Sequence, residues 1–277
     1  MTTKKQLIIN ADDFGISKSA NLAILKAAKD GVLTSASLMA NAPAFEDAVS
    51  ILEQLEGISI GVHLNIIEFS TLKEKLKHNS LLYDQNGQYK NGFVQILLKS
   101  FNERFLVEVE RDFRLQIEKI LEKTKVTHID SHVHVHAIPG IFRIACKLAK
   151  EYGIKNIRTQ FEIPYLVPDI SKYISFKYPI NLIKVALLNS FTLINWHCAK
   201  EFGLSTNENL IGVNYTGYMD NKTIEFALKN VKSLTELLLH PSISSEKSSG
   251  YKEFLAVADT SLNDKLKTAD ITAVGWE

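Results

Sequence analysis

Reactive side chains are concentrated most sharply between residues 127 and 136, Thr-His-Ile-Asp-Ser-His-Val-His-Val-His, where four of the chain's eight histidines fall within nine residues. Side chains alternate faces along a strand, so His128, Asp130, His132, His134 and His136 would share one face for as long as the strand lasts. Burying that many imidazoles without a task is costly, and imidazole is the commonest metal-binding side chain. The competing reading is a polar strand face open to water. A catalytic metal site usually takes three protein ligands and keeps one position open, so not all of these histidines would bind. Asp12 and Asp13 form a second focus. Adjacent carboxylates just past the apolar run Leu7-Ile8-Ile9 repel one another unless a cation or hydrogen bonds offset them; a solvated turn with a capping Asp is the plain alternative. His63 closes a third apolar run, with Gly61 leaving space beside it. His240 is pinned by Pro241 after Leu237-Leu238-Leu239, a place suited to proton transfer, and Arg158 at the end of a run from Ile154 could neutralise or orient a carboxylate. Taken singly, each of these three also has an ordinary structural reading.

The elements that must position these residues follow a strand–helix rhythm. Leu7–Ile9 suits a strand buried on both faces. Ser17 is placed to cap a helix with the apolar stripe Ala20, Ala23, Ile24, Ala27 and Ala28, closed by Gly31. Further strands are expected at 34–39, 58–64, 127–132, 154–158, 234–240 and 270–276. Helices are expected from Pro43 through Leu55 and from Pro139 through Tyr152, the latter closed by Gly153. Such alternation, with polar groups at the C-terminal strand ends, indicates a parallel α/β architecture. Asp12, Asp13, His63, His132, Arg158 and His240 all sit at or near those ends, where barrels and related folds gather active sites. Two segments break the rhythm and read as long loops after the third and fifth strands: 68–102, with Asn-Gly at 86–87 and 91–92, and 162–182, with Pro164, Pro168 and Pro179. No charge-block linker divides the chain, so one domain over 1–277 is expected. A serine nucleophile elbow and a Walker-type loop are both missing from the sequence, which leaves covalent serine hydrolysis and P-loop chemistry unsupported.

Composition narrows the field. The 32 basic residues against 31 acidic ones, a net charge of +1, argue against a broad nucleic-acid footprint. Hydrophobic residues at 45% and charged residues at 23% argue against wholesale disorder. The two cysteines, Cys146 and Cys198, cannot build a disulfide framework or a four-thiolate zinc site. With no signal-peptide core and no apolar run near the ~18 residues of a spanning helix, a soluble, cytoplasmic chain without nucleic-acid or membrane partners is expected.

Four phrases carry a resemblance: Ile-Ile-Asn-Ala-Asp-Asp-Phe-Gly (8–15), Gly-Val-His-Leu-Asn (61–65), the histidine run (127–136) and Leu-Leu-Leu-His-Pro (237–241). In this order they resemble the YdjC-like carbohydrate deacetylase family, whose characterised type is the chitooligosaccharide (diacetylchitobiose) deacetylase. The resemblance implies a distorted TIM-like (β/α) barrel and a hydrolase that removes N-acetyl groups from acetylated amino sugars or short chitooligosaccharides. It also implies one divalent ion per chain, Mg2+ or Zn2+, on Asp13, His63 and His132. Asp12 would then be the base, His240 the acid, and Arg158 a neighbour of the base. The partner implied is a small acetylated sugar, with a homodimer left open. Family members often follow the His-Leu-Asn phrase with Thr-x-Gly-x-Pro, whereas this chain reads Ile66-Ile67-Glu68-Phe69-Ser70, in a loop that would border the sugar. Residues 162–200 match no phrase of the family. The rival readings are a metal-dependent phosphoesterase of a histidine-rich barrel and a non-catalytic, metal-assisted sugar-binding protein. The first needs a second ligand cluster, for which His78 and His197 offer little; the second has no use for a base beside Asp13.

Overall fold

The computed structural model describes residues 4–76, 78–168 and 177–277. Among them, eight strands form one sheet: β1 (Lys5–Phe14), β2 (Ser35–Leu38), β3 (Ser59–Leu64), β4 (His128–Ser131), β5 (Asn156–Ile157), β6 (Asn209–Ile211), β7 (Leu234–Leu239) and β8 (Ile271–Val274). All seven strand ladders are parallel. The order is β5-β4-β3-β2-β1-β7-β6, with β8 off this path against Lys5–Ile8 of β1. β5 and β6, at the two ends, are drawn together outside any regular ladder. Ile157 N–H donates to the Ser205 carbonyl at 3.0 Å, Thr159 N–H to Asn207 Oδ1 at 2.7 Å, and Leu210 N–H to the Phe161 carbonyl at 2.6 Å. The sheet therefore curls into a distorted TIM-like barrel, as expected from the strand rhythm and the resemblance.

The strands form where apolar runs can be covered on both sides. Leu7, Ile8 and Ile9 are fully buried, as a strand flanked by helices outside and side chains inside requires. Helix α1 (Lys18–Asp30) begins at Ser17, whose hydroxyl accepts from Ala20 N–H at 3.1 Å, and it buries Ala20, Ala23, Ile24 and Ala27. Gly31 acts differently from a left-handed cap, because its φ is −114°. A Cβ there would lie 2.1 Å from the Val257 carbonyl, so glycine is needed for a close backbone approach to α8 (Ser249–Ala258). The helix expected from Pro43 through Leu55 divides into α2 (Phe45–Val49) and a 3-10 turn at Leu52–Gln54. The remaining helices are α3 (Phe93–Lys99), α4 (Glu103–Leu121), α5 (Pro139–Glu151), α6 (Lys177–Phe202), α7 (Asn221–Ala227) and α9 (Ser261–Thr268). α5 opens on its proline and is followed by Gly153 at φ 71°, as expected. Residues 177–182, expected in a loop, belong to α6; the expected loop residues 169–176 lie outside the described residues.

The long loop after β3 is tied down by buried polar groups. Asp112 on α4 accepts from the Tyr89 hydroxyl at 2.6 Å, from Gln116 Nε2 at 2.9 Å and from the Thr71 hydroxyl. Gln116 in turn donates to the Asn65 carbonyl at 2.7 Å and accepts from Asn65 N–H at 2.8 Å. Both ends of the loop are thus anchored to one helix. Among the described residues, no helix is long and apolar enough to cross a membrane.

Candidate active site

In a regular strand Asp12 and Asp13 would face opposite sides. The β1–β2 register shifts between Ala11 and Phe14, and Asp13 takes φ 62°, a left-handed conformation that Asp tolerates better than most residues. This bulge lets both carboxylates enter one cluster, in keeping with the frequency of bulges beside active sites. Asp13 Oδ1 lies 2.8 Å from His132 Nδ1 and 3.2 Å from His63 Nε2. Donor atoms of Asp13, His63 and His132 all lie within 4.8 Å of one another.

These three residues fit a divalent ion on local grounds. β3–β4 pairing sets His63 opposite Asp130, whose Oδ1 is 2.7 Å from His63 Nδ1. A carboxylate on one ring nitrogen orients the other toward a metal. That other nitrogen, His63 Nε2, and His132 Nε2 are both buried without an aligned hydrogen-bond partner. Burial works against a charge on His63, yet Asp130 and Asp13 raise its pKa to about 10, so the cluster draws positive charge to this spot. Asp13 shows the converse: burial pushes its pKa up, but the His132 and His63 rings hold it well below the ordinary value. Oxygen and imidazole donors together suit zinc and also admit magnesium.

Arg158 is fully buried and organises the neighbouring carboxylates. Its Nη1 and Nη2 donate to both oxygens of Asp12, at 2.8 and 2.6 Å; Nε and Nη2 reach Glu236 at 3.0 and 2.6 Å; and Nη2 lies 2.6 Å from Asp130 Oδ2. A planar, always-charged fork suits this bidentate work. Burial would raise the Asp12 pKa, but Arg158 carries it below the ordinary value; Glu236, where burial prevails, rises to about 7. Asn10 Nδ2 adds a hydrogen bond to Asp12 at 2.7 Å. A second trio, Asp12, His63 and Asp130, also clusters within 4.8 Å, but Arg158 sits on both of its carboxylates.

The histidine run keeps one face only as far as the strand lasts. β4 stops at Ser131, and Val133 and His134 take φ 52° and 57° in a tight turn. The imidazoles part accordingly. His128 is buried between the hydroxyls of Thr127 (2.9 Å) and Ser37 (3.2 Å) and stacks on Trp276 at 5.3 Å. The space left by Gly61 serves this ring rather than His63: a Cβ on Gly61 would lie 2.3 Å from His128 Nε2. His132 turns to Asp13. His134 borders the cavity over the site, its Nδ1 unpartnered. His136 is buried near the Arg158 carbonyl (3.0 Å), the Gln160 amide (2.7 Å) and the Ser131 hydroxyl, where it steadies the start of the segment after β5.

His240 follows β7 and faces the same cavity. Its backbone N–H donates to Glu253 Oε2 at 2.5 Å, and its Nδ1 lies 3.6 Å from that oxygen. Burial alone would lower its pKa, but Glu253, with help from Asp13 and Asp12, raises it to about 9, so the ring is protonated at neutral pH. Glu236 and Glu253 are close neighbours of the site that residue patterns did not single out, and Asp130 was named only as a member of the histidine run's face. Asp130 shares a strand face with His128, and Glu236 is the one charge inside β7, so both carried a signal; Glu253, on the helix that follows β7, carried none. A cavity of about 380 Å³ opens over Asp12, His63, His132 and His240. All six expected site residues lie in this one assembly; Asp12, His63, His132 and His240 line the cavity, while Asp13 and Arg158 contact the lining residues without lining it themselves.

A family model described as YdjC-like protein matches residues 6–269. A carbohydrate deacetylase of Brevibacillus brevis is 40% identical over 150 residues, 54% of this chain and 57% of that protein. A carbohydrate deacetylase of Clostridium beijerinckii is 31% identical over 242 residues, 84% of this chain and 91% of that one. A crystal structure of an Enterococcus faecalis protein, whose suggested role is cellobiose-phosphate cleavage, superposes with a TM-score of 0.74 at 22% identity, covering 99% of this chain and 98% of that one, a likeness of fold. With the match spanning the barrel from β1 through α9, the chain belongs to the YdjC-like protein family.

Proposed function

We propose that this protein is a metal-dependent carbohydrate deacetylase that hydrolyses the acetamido group of an N-acetylated amino sugar. The observation that carries the reading is the pairing of an Asp–His–His set, two of its ring nitrogens without an aligned hydrogen-bond partner, with a separately held carboxylate and a histidine backed by Glu253 around one cavity. The names of the Brevibacillus and Clostridium relatives support the substrate class. Asp13, His63 and His132 would hold the divalent ion, which supplies Lewis-acid polarisation of a carbonyl and acidifies water. Asp12, kept ionised by Arg158, takes the proton of the attacking water. His240 donates a proton to the departing nitrogen, which would otherwise leave as a poor amide anion. Arg158 is a positioning residue: it fixes both oxygens of Asp12 and touches no substrate.

The test is acetate release from N-acetylglucosamine, diacetylchitobiose and longer chitooligosaccharides with a panel of divalent ions. Chelator-sensitive release from at least one of them is expected. Asp12→Asn should lower kcat by ~10²–10⁴ while leaving metal content near wild type. Near-wild-type turnover in that variant would exchange the roles of Asp12 and Asp13, and no release with metal bound would favour the phosphoesterase or the binding protein.

A further inference from the structure

The cavity over the site has a second face that deacetylation does not use. Its floor is polar, with Asp12, His63, His132 and His240. Its outer wall is apolar: Phe93 and Val94 on α3, Val133 on the turn after β4, Ile183 and Leu187 on α6, and Val213 after β6. Among the described residues lining that wall, polar side chains come from His134, Lys184 and Thr216 alone. The wall reaches solvent at the cavity mouth, where Ile183 is 70% and Val94 65% exposed. Val133 is held there at φ 52°, a genuine outlier for a β-branched residue and the kind of strain that persists at ligand sites. A further sugar ring against this wall would give up water at its hydroxyls and gain few partners. Among the described residues of the lining, Phe93 is the one aromatic side chain besides the histidines. An alkyl chain would lose nothing.

We infer that the substrate is an amphiphilic glycoside: an N-acetylated amino sugar seated on the polar floor, whose alkyl aglycone lies along Val94, Val133, Ile183 and Leu187. The inference rests on the deacetylase reading, which assigns the acetyl group to the floor and leaves the wall for another part of the molecule. Floor and wall belong to one continuous cavity, so a single ligand spans both.

The experiment uses the metal-loaded enzyme and follows acetate release and calorimetric binding in parallel. Ligands are the methyl, butyl and octyl glycosides of N-acetylglucosamine, diacetylchitobiose, and the methyl glycoside of N-octanoylglucosamine. Affinity and kcat/KM should rise about two- to fourfold per methylene of the aglycone until the wall is covered, and the octyl glycoside should exceed diacetylchitobiose. Ile183→Ser or Val94→Ser should lower the octyl-to-methyl ratio. Leu193→Ser, on α6 but outside the cavity lining and 75% exposed, should leave that ratio unchanged. Indifference to chain length, a preference for diacetylchitobiose, or a gain confined to the N-octanoyl sugar would overturn the inference. Absence of acetate from every glycoside would count against deacetylation itself. Binding then still decides the wall, tighter octyl than methyl binding upholding it and equal affinities overturning it.

Discussion

A general acid is useful only while it holds its proton, and His240 keeps its proton because Glu253 lies behind it. A histidine with its pKa raised to about 9 is competent below that pH and fails as pH rises through it, so kcat should show a basic limb near pH 9. Glu253→Gln keeps an acceptor for the His240 backbone N–H but removes the negative charge, and should move that limb toward lower pH. A limb that stays in place would assign it to another group. Residue types led to Asp12, Asp13, His63, His132, Arg158 and His240 only in combination with their place at or near the C-terminal ends of expected parallel strands. What residue types could not show is the division of labour within the histidine run. Three of its four imidazoles are placed by hydroxyls, carbonyls, aromatic rings or cavity space that lie far away in sequence.

At the scale of elements, the strands were legible because parallel strands buried on both faces leave continuous apolar runs. Their ends were less so. The sequence places the end of β4 at His132, with alternation holding only while the strand lasts, and the left-handed residues Val133 and His134 break the period just after Ser131. α4 has Phe105, Val109, Phe113 and Ile117 at helical spacing, yet Glu108, Asp112 and Gln116 are buried on the same helix and blur its stripe. α6 is apolar on several sides, with Ile183 and Leu193 exposed while Val185 and Leu188 are buried, so it shows no clean period. The β3–β4 pair carries a stability prediction. Gly61→Ala would set a Cβ 2.3 Å from His128 Nε2, and neither the ring, stacked on Trp276, nor the paired strands can yield cheaply. A loss of about 1–3 kcal/mol in denaturant unfolding is expected. Most of that added loss should vanish when His128→Ala is the background. Additive losses would mean that the contact relaxes elsewhere.

For the whole molecule, the barrel brings groups from or just beyond β1, β3, β4, β5 and β7 to one end and leaves the His128–Trp276 stack beside the other strand residues as packing. The end that gathers the site is rich in carboxyl groups: Asp12, Asp13, Asp130 and Glu236 face Arg158 and His63. A divalent ion bound in place of the His63 proton would be favoured by these carboxyl groups, and the central claim is that Asp13, His63 and His132 hold it. The most direct measurement is metal stoichiometry on chelator-treated, reloaded protein, wild type beside His132→Ala, with thermal unfolding confirming that both are folded. The account predicts about one tightly bound divalent ion per wild-type chain and loss of most of it in the variant. Full retention of the ion by folded His132→Ala, or a folded wild-type chain that takes up none, would contradict it.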